Sequence, residues 1–462
     1  MRATMSLRRG LLAAIAVAAA AIPLTAAVSP ATAADTIPTA SAERDETAAA
    51  GVPSRLAFTS EGIAVPESLQ EGGVSAIAVS DSPGYGVLAV KDGNIVKVNG
   101  SVGVPQDLQS GGGVSALALG GPGLAVKNGN VQQFGPRTWC PDEYLTSMPA
   151  VLASGGGATV VESNPRLQAA FAVKDGKLYQ WGCSSDLIAV PADLSTGGVT
   201  EVKSRGTSAL AVKDGNVHAW GQAPRVPAEL AEGGGVTSIA LSNNGRTGLA
   251  VKDGKVHRWG EYIGLPAGVD DGRVTSVSAD INGATVAAVK DDGTLISSQD
   301  PDGVFHNRGI TSAAAVTGGV FVIQKTQTDV TLNSKDGYLI TRPGTARDYL
   351  GFGHADTPQD AKTFTAVLLK NNEIALKSRL NGKYVMVDQS TTGTADPTYH
   401  LRAASDQVGP WEKFTLHKTD NGSSLLKSES TGKYVYNSNG TLTGTGTETQ
   451  AAGFDMQPSP AE

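Results

Sequence analysis

Two cysteines, six histidines and forty-four carboxylates are the residues of this 462-residue chain best equipped for chemistry. Cys140 follows Phe134-Gly135 and Cys183 follows Trp181-Gly182, so both stand just past the same kind of strand end. In an exported protein that pair reads as one disulfide, Cys140–Cys183, worth ~3–4 kcal/mol in the chain-entropy picture. The histidines have no ligand spacing, whereas zinc needs three or four converging donors. Recurrent Asp-Gly pairs lack the alternating carboxylates of a calcium loop. There is no Gly-x-Ser-x-Gly elbow, phosphate-binding loop or His-Glu-x-x-His, and a glycosidase pair cannot be picked out because its carboxylates meet only in space. The expectation is therefore no catalytic residue, no metal and no cofactor. Recognition remains, and Trp139, Tyr144, Arg166, Arg205, Arg246 and Tyr262 are of the types that anchor binding surfaces.

The bulk composition narrows the partner. A net charge of −7 repels nucleic acid and anionic lipid. Arg2, Arg8 and Arg9 precede an apolar run from Leu11 to Ile22, and Ala31-Thr32-Ala33 offers small residues for cleavage. This pattern predicts a signal peptide over 1–33, with Arg8-Arg9 leaving the twin-arginine route open beside the general one. The run is too short to span a bilayer and is interrupted by Pro23. Residues 34–53 have no apolar period and read as a disordered leader. A secreted, extracellular protein with no membrane span is expected.

What positions the recognition residues is a repeat. Segments of the form Val-Ser/Thr-x-Ile/Leu/Val-Ala begin at Val74, Val114, Val199, Val236 and Val274, with looser copies at Ala158 and Ile310. Most continue into Lys-Asp-Gly, and three end on Trp181-Gly182, Trp220-Gly221 and Trp259-Gly260. Asp-Gly supplies the positive φ angles of a two-residue hairpin turn, and Val217-His218-Ala219-Trp220 alternates as a half-buried strand does. Seven such units predict a seven-bladed β-propeller over 54–326. The seventh unit lacks its last strand, and Arg55 to Thr59 is expected to supply it, closing the ring and removing an exposed edge.

Segments such as Leu249-Ala-Val-Lys-Asp-Gly-Lys-Val-His-Arg-Trp-Gly260 resemble repeats of the regulator-of-chromosome-condensation propellers. The short repeat is similar to the secreted bacterial branch, which includes a propeller that inhibits β-lactamase. That resemblance implies a binding propeller and leaves inhibition of an extracellular enzyme open.

After Thr328 the pattern changes. Three related starts, at Leu332, Leu376 and Leu426, each lead to a Phe, at 364, 414 and 454. They predict a β-trefoil over 330–458, so the whole chain is expected to be all-β. Leu401-Arg-Ala-Ala and Gly409-Pro-Trp-Glu-Lys-Phe414 resemble the fascin family of trefoils, which implies adhesion to surfaces or polysaccharide and, for animal members, actin bundling. Trp411 is expected in the core rather than as a sugar platform. Basic and acidic residues balance in this segment, giving no electrostatic hint of an acidic ligand such as actin.

Because strand direction alternates, the Asp-Gly turns must line one rim of the propeller. The more varied loops at Ser80 to Gly86, Gly135 to Tyr144, Glu162 to Gln168 and Ser242 to Thr247 line the other, where the six recognition residues fall. The expected function is that of a monomeric, non-catalytic binding or adhesion protein. It grips an extracellular protein or polysaccharide through this rim, with the trefoil as a second binding module. A polysaccharide-degrading enzyme with an accessory trefoil stands as a further alternative.

Overall fold

The computed structural model describes residues 54–59, 63–80, 85–135, 145–183, 189–299, 309–342, 348–369, 373–389, 399–419 and 423–459. The predicted signal peptide and leader, and Trp139, Cys140 and Tyr144, lie outside these residues. Strands dominate, and the helices are single turns. Among the described residues no helix is long and apolar enough to cross a membrane.

Seven small antiparallel sheets come first. The opening one orders Val74–Val79, Val87–Lys91 and Asn94–Asn99, and the next orders Val114–Leu119, Gly123–Lys127 and Asn130–Phe134. The third joins Ala158–Asn164, Ala169–Lys174 and Lys177–Cys183, with Leu145–Thr146 as an added edge. The fourth, fifth and sixth begin at Val199–Arg205, Val236–Ser242 and Val274–Ala279. In the seventh, Gly319–Lys325 pairs with Ile310–Val316 on one side and with Ser54–Phe58 on the other, with Leu56 opposite Ile323 and Phe58 opposite Phe321. The strand expected at Arg55 to Thr59 thus forms one residue earlier.

The turns show why Asp-Gly recurs. Asp92 and Gly93 have φ of 49° and 71°, and Asp214 and Gly215 have 51° and 73°, the paired positive angles of a hairpin matched to strand twist. The turn glycine has a second duty. Its carbonyl accepts the first N–H of the next sheet, from Val114 to Gly93 and from Val236 to Gly215, each at 2.9 Å. A Cβ on Gly215 would lie 2.8 Å from the backbone nitrogen of Gly235, so the next sheet approaches as closely as bare backbone allows.

Apolar packing then links the sheets in a cycle. Short turns opening after Pro66, Pro105 and Pro227 carry the buried leucines Leu69, Leu108 and Leu230. Leu108 packs with Leu88 and Ala125 between the first two sheets, and Leu230 with Leu210 and Ile239 between the fourth and fifth. Leu69 joins Leu56 and Ile323 of the seventh sheet to Val74 and Ala89 of the first, returning the series to its start. The Trp-Gly tryptophans belong to this packing. Trp259 is buried opposite Gly248, where a Cβ would sit 2.2 Å from the indole.

The remaining strands build a different object. Gln327–Ser334, Thr363–Leu368, Glu373–Ser378, Phe414–Lys418, Ser424–Ser428 and Gly453–Pro458 pair in succession, and the last pairs back with the first. They make a closed six-stranded barrel. Three hairpins complete it, Gly337–Thr341 with Leu350–Gly353, Tyr384–Val387 with Leu401–Ser405, and Tyr434–Ser438 with Thr441–Gly446. This three-fold arrangement is a β-trefoil. Phe364, Phe414 and Phe454 fill its centre with Leu332, Leu376 and Leu426, the residues that mark the three sequence repeats. The Leu368 N–H donates to the Thr326 carbonyl at 2.7 Å where the sheets give way to the barrel.

Candidate functional site

The two ends of the seven sheets differ in how their polar groups are used. At the Asp-Gly end the lysine of Lys-Asp-Gly is tied down within its own repeat. Lys252 Nζ donates to the Glu229 and Glu232 carbonyls, at 2.5 and 3.2 Å, and Lys174 Nζ to the Ser154 carbonyl at 3.0 Å. These lysines cap the carbonyls that end the single-turn helices, so they are structural. Lys290 instead meets a carboxylate, Asp271, and the hydrogen bond holds that carboxyl below its usual range.

At the other end the fifth sheet carries a corner built on an exposed tyrosine. Tyr262 follows the strand Lys255–Gly260 and is 80 % exposed. Arg258 lays its guanidinium 4.2 Å from the Tyr262 ring centroid while donating to the Ile263 carbonyl. Ile263 is buried among Val274, Val277 and Val286, which anchors the loop beneath the exposed ring. Beside it Arg246 pairs with Glu261 at 3.3 Å, and both are well exposed. One face of the tyrosine is therefore backed by a cation, and charged donors and acceptors stand next to it. Such a corner suits hydroxyl-rich or mixed polar and apolar ligands, because the ring takes C–H faces while the charged groups bond to hydroxyls.

Of the six residues expected to serve recognition, Arg246 pairs with Glu261, the chain neighbour of Tyr262. Arg166 is exposed on the third sheet, where Asn164 Oδ1 accepts from the Arg166 and Leu167 N–H groups, both at 3.0 Å. Arg205 is half-buried and donates to the Leu241 carbonyl at 2.8 Å and the Ala279 carbonyl at 3.0 Å, bridging the fifth and sixth sheets. Its head is engaged in holding the sheets together. The expected loop from Glu162 is shorter than the sequence suggests, because Ala158–Asn164 stays extended and Glu162 accepts the Ser204 N–H of the next sheet. Arg258 and Glu261 were missed. Arg258 sits inside a strand, and only its even spacing from Tyr262 hinted at a shared face.

In the trefoil, Trp411 corrects the sequence reading. It is 38 % exposed, while Glu412 turns inward and accepts the Gly409 N–H at 2.7 Å. In a one-turn segment the capping residue and its neighbour point apart, and Phe414 already occupies the core position.

Comparisons with known proteins cover only part of the chain. No family model matches it, and no curated protein matches it. Among solved structures, it is similar to the designed three-fold symmetric protein ThreeFoil (14 % identity, 28 % of this chain and 97 % of that one, TM-score 0.24). It is also similar to a Polyporus squamosus lectin (14 %, 29 % and 50 %, 0.24) and to SeviL bound to a saccharide (13 %, 29 % and 100 %, 0.24). The trefoil assignment rests on the strand pairing itself.

Proposed function

We propose that this is a secreted, non-catalytic binding protein that recognises an extracellular polysaccharide through the Tyr262 corner. In this reading residues 54–326 form a seven-bladed propeller of the regulator-of-chromosome-condensation type, closed by Ser54–Phe58, and residues 330–458 form the accessory trefoil. The cyclic packing of the seven sheets supports the propeller, and the basic start followed by an apolar run supports export. Cys140–Cys183 is proposed as a disulfide, with Cys183 at the end of Lys177–Cys183. Peptide mapping without reductant should recover the two joined, and free thiols would remove this element.

The observation that carries the binding reading is the exposed Tyr262 ring backed by Arg258 and anchored by buried Ile263. A large aromatic left in water on a loop this well anchored has no packing duty, whereas every Trp of the Trp-Gly strands does. Equilibrium binding of the full chain to purified cell-wall and secreted polysaccharides tests this directly. One or more should bind, without release of reducing ends, and Arg258→Ala should weaken the complex by freeing the ring to move. Cleavage of the polymer would replace this reading with an enzymatic one, and binding only to a protein target would point to the inhibitor class.

A further inference from the structure

The joint between the seventh sheet and the trefoil holds a buried cation with no opposite charge among the described residues. Arg55 lies in the closing strand directly opposite Gln324 and is 5 % exposed. Its Nε donates to Gln324 Oε1 at 3.1 Å, and Nη1 donates across the joint to the Leu369 carbonyl at 2.8 Å. Those bonds use two of the five N–H donors of a guanidinium. Among the described residues no carboxylate pairs with Arg55, and burial alone pushes the group below its ordinary value. Arginine nevertheless keeps its proton in proteins.

Gln324 deepens the imbalance. It is 0 % exposed, and its Nε2 donates to no partner among the described residues. Two neighbouring buried side chains thus keep spare donors, and folded proteins rarely leave such groups without an acceptor or a counter-charge. Burial limits what can enter. Arg55 is 5 % and Gln324 0 % exposed, so only an occupant of about one atom's size could reach them without displacing the strands.

We propose that the joint binds a small inorganic anion of chloride size and charge, held by the free N–H groups of Arg55 and by Gln324 Nε2. Such an ion neutralises the guanidinium and ties the closing strand to the trefoil. The stability of the whole protein then depends on which anion is present, since a ligand that binds only the folded state stabilises it by mass action.

The test compares melting of the full chain in sodium chloride and in sodium gluconate at matched ionic strength. Chloride should raise Tm by about 2 °C or more, and the gain should saturate. Gln324→Glu places a permanent carboxylate against Arg55, so this variant should fold, melt higher in gluconate and lose the preference for chloride. Crystals grown in bromide should show an anomalous peak within hydrogen-bonding distance of the Arg55 guanidinium. Equal melting of the wild type in both salts would overturn the proposal. So would a chloride preference that survives intact in Gln324→Glu, or bromide peaks only elsewhere.

Discussion

The two halves of this chain close on themselves by different means. The trefoil barrel closes by continuous backbone pairing, each of its six strands hydrogen-bonded to the next. The seven sheets close by contacts between finished units: a turn carbonyl taking one N–H, a buried leucine, a tryptophan laid against the preceding sheet. Where first strands face one another, side chains replace the ladder. Glu201 accepts the Ile239 N–H at 3.1 Å, and Ser278 accepts the Ala315 N–H at 2.9 Å. A barrel closed by backbone depends little on which side chains its turns carry. A cycle closed by side chains and bare glycines depends on them at every joint.

The largest expected effect follows from the one joint that spans the sequence. Deleting residues up to Glu61 removes Ser54–Phe58, bares the edge of Gly319–Lys325 and strands Phe321 and Ile323. The truncated protein should aggregate or lose its cooperative melt, as followed by light scattering and calorimetry. A monomer with unchanged melting would mean that the cycle does not need its closing strand.

A pair of glycine substitutions sharpens the contrast. Gly432 in the trefoil has φ of 64° and open space around it, so Gly432→Ala should cost only the left-handed backbone term, about 1–2 kcal/mol. Gly215 has the same kind of φ but abuts Gly235, so Gly215→Ala should cost a further ~1–3 kcal/mol for forced displacement. Denaturant unfolding of both variants measures the difference, and equal costs would show that the close approach is dispensable.

Much of this was legible in the sequence. The seven starts, the Asp-Gly turns, the closing strand and the three Phe-ending thirds each rest on local pattern. What was not legible is what one repeat does to the next. Asn94, Asn130 and Asn216 accept the N–H groups of Gly112, Gly156 and Gly234 in the following units. Where Lys177 and Lys255 replace that asparagine, the following unit has a shorter glycine run, at Gly197-Gly198 and at Gly272. That coupling links positions that no single repeat displays together. The corner proposed for binding was half visible. Tyr262 and Arg246 stood out by type, whereas Arg258 was hidden in a strand and Trp411 was misplaced because its neighbour Glu412, not the indole, turns inward.

The smallest expected effect is confined to the sixth sheet, where Lys290 meets Asp271 rather than backbone carbonyls. The lowered carboxyl contributes stability that is complete above the ordinary carboxylate value of about 4 and fades as pH falls through its folded value. Asp271→Asn should therefore melt slightly below the wild type at neutral pH, with the gap closing in acid. A gap that stays constant with pH would show that the charge is not what matters there.

Among the described residues each of the two regions also presents one exposed tyrosine or tryptophan, and these two test the proposed recognition. Tyr262 is 80 % exposed with a cation behind it, and Trp411 is 38 % exposed on a capped turn. The most direct measurement is the affinity of Tyr262→Ala and of Trp411→Ala for a polysaccharide that the full chain binds. Loss of an anchor costs ~2 kcal/mol or more, about 30-fold in Kd. The account predicts that loss for Tyr262→Ala and near-unchanged affinity for Trp411→Ala. Unchanged binding by Tyr262→Ala with a 30-fold loss in Trp411→Ala would place the site on the trefoil and contradict it.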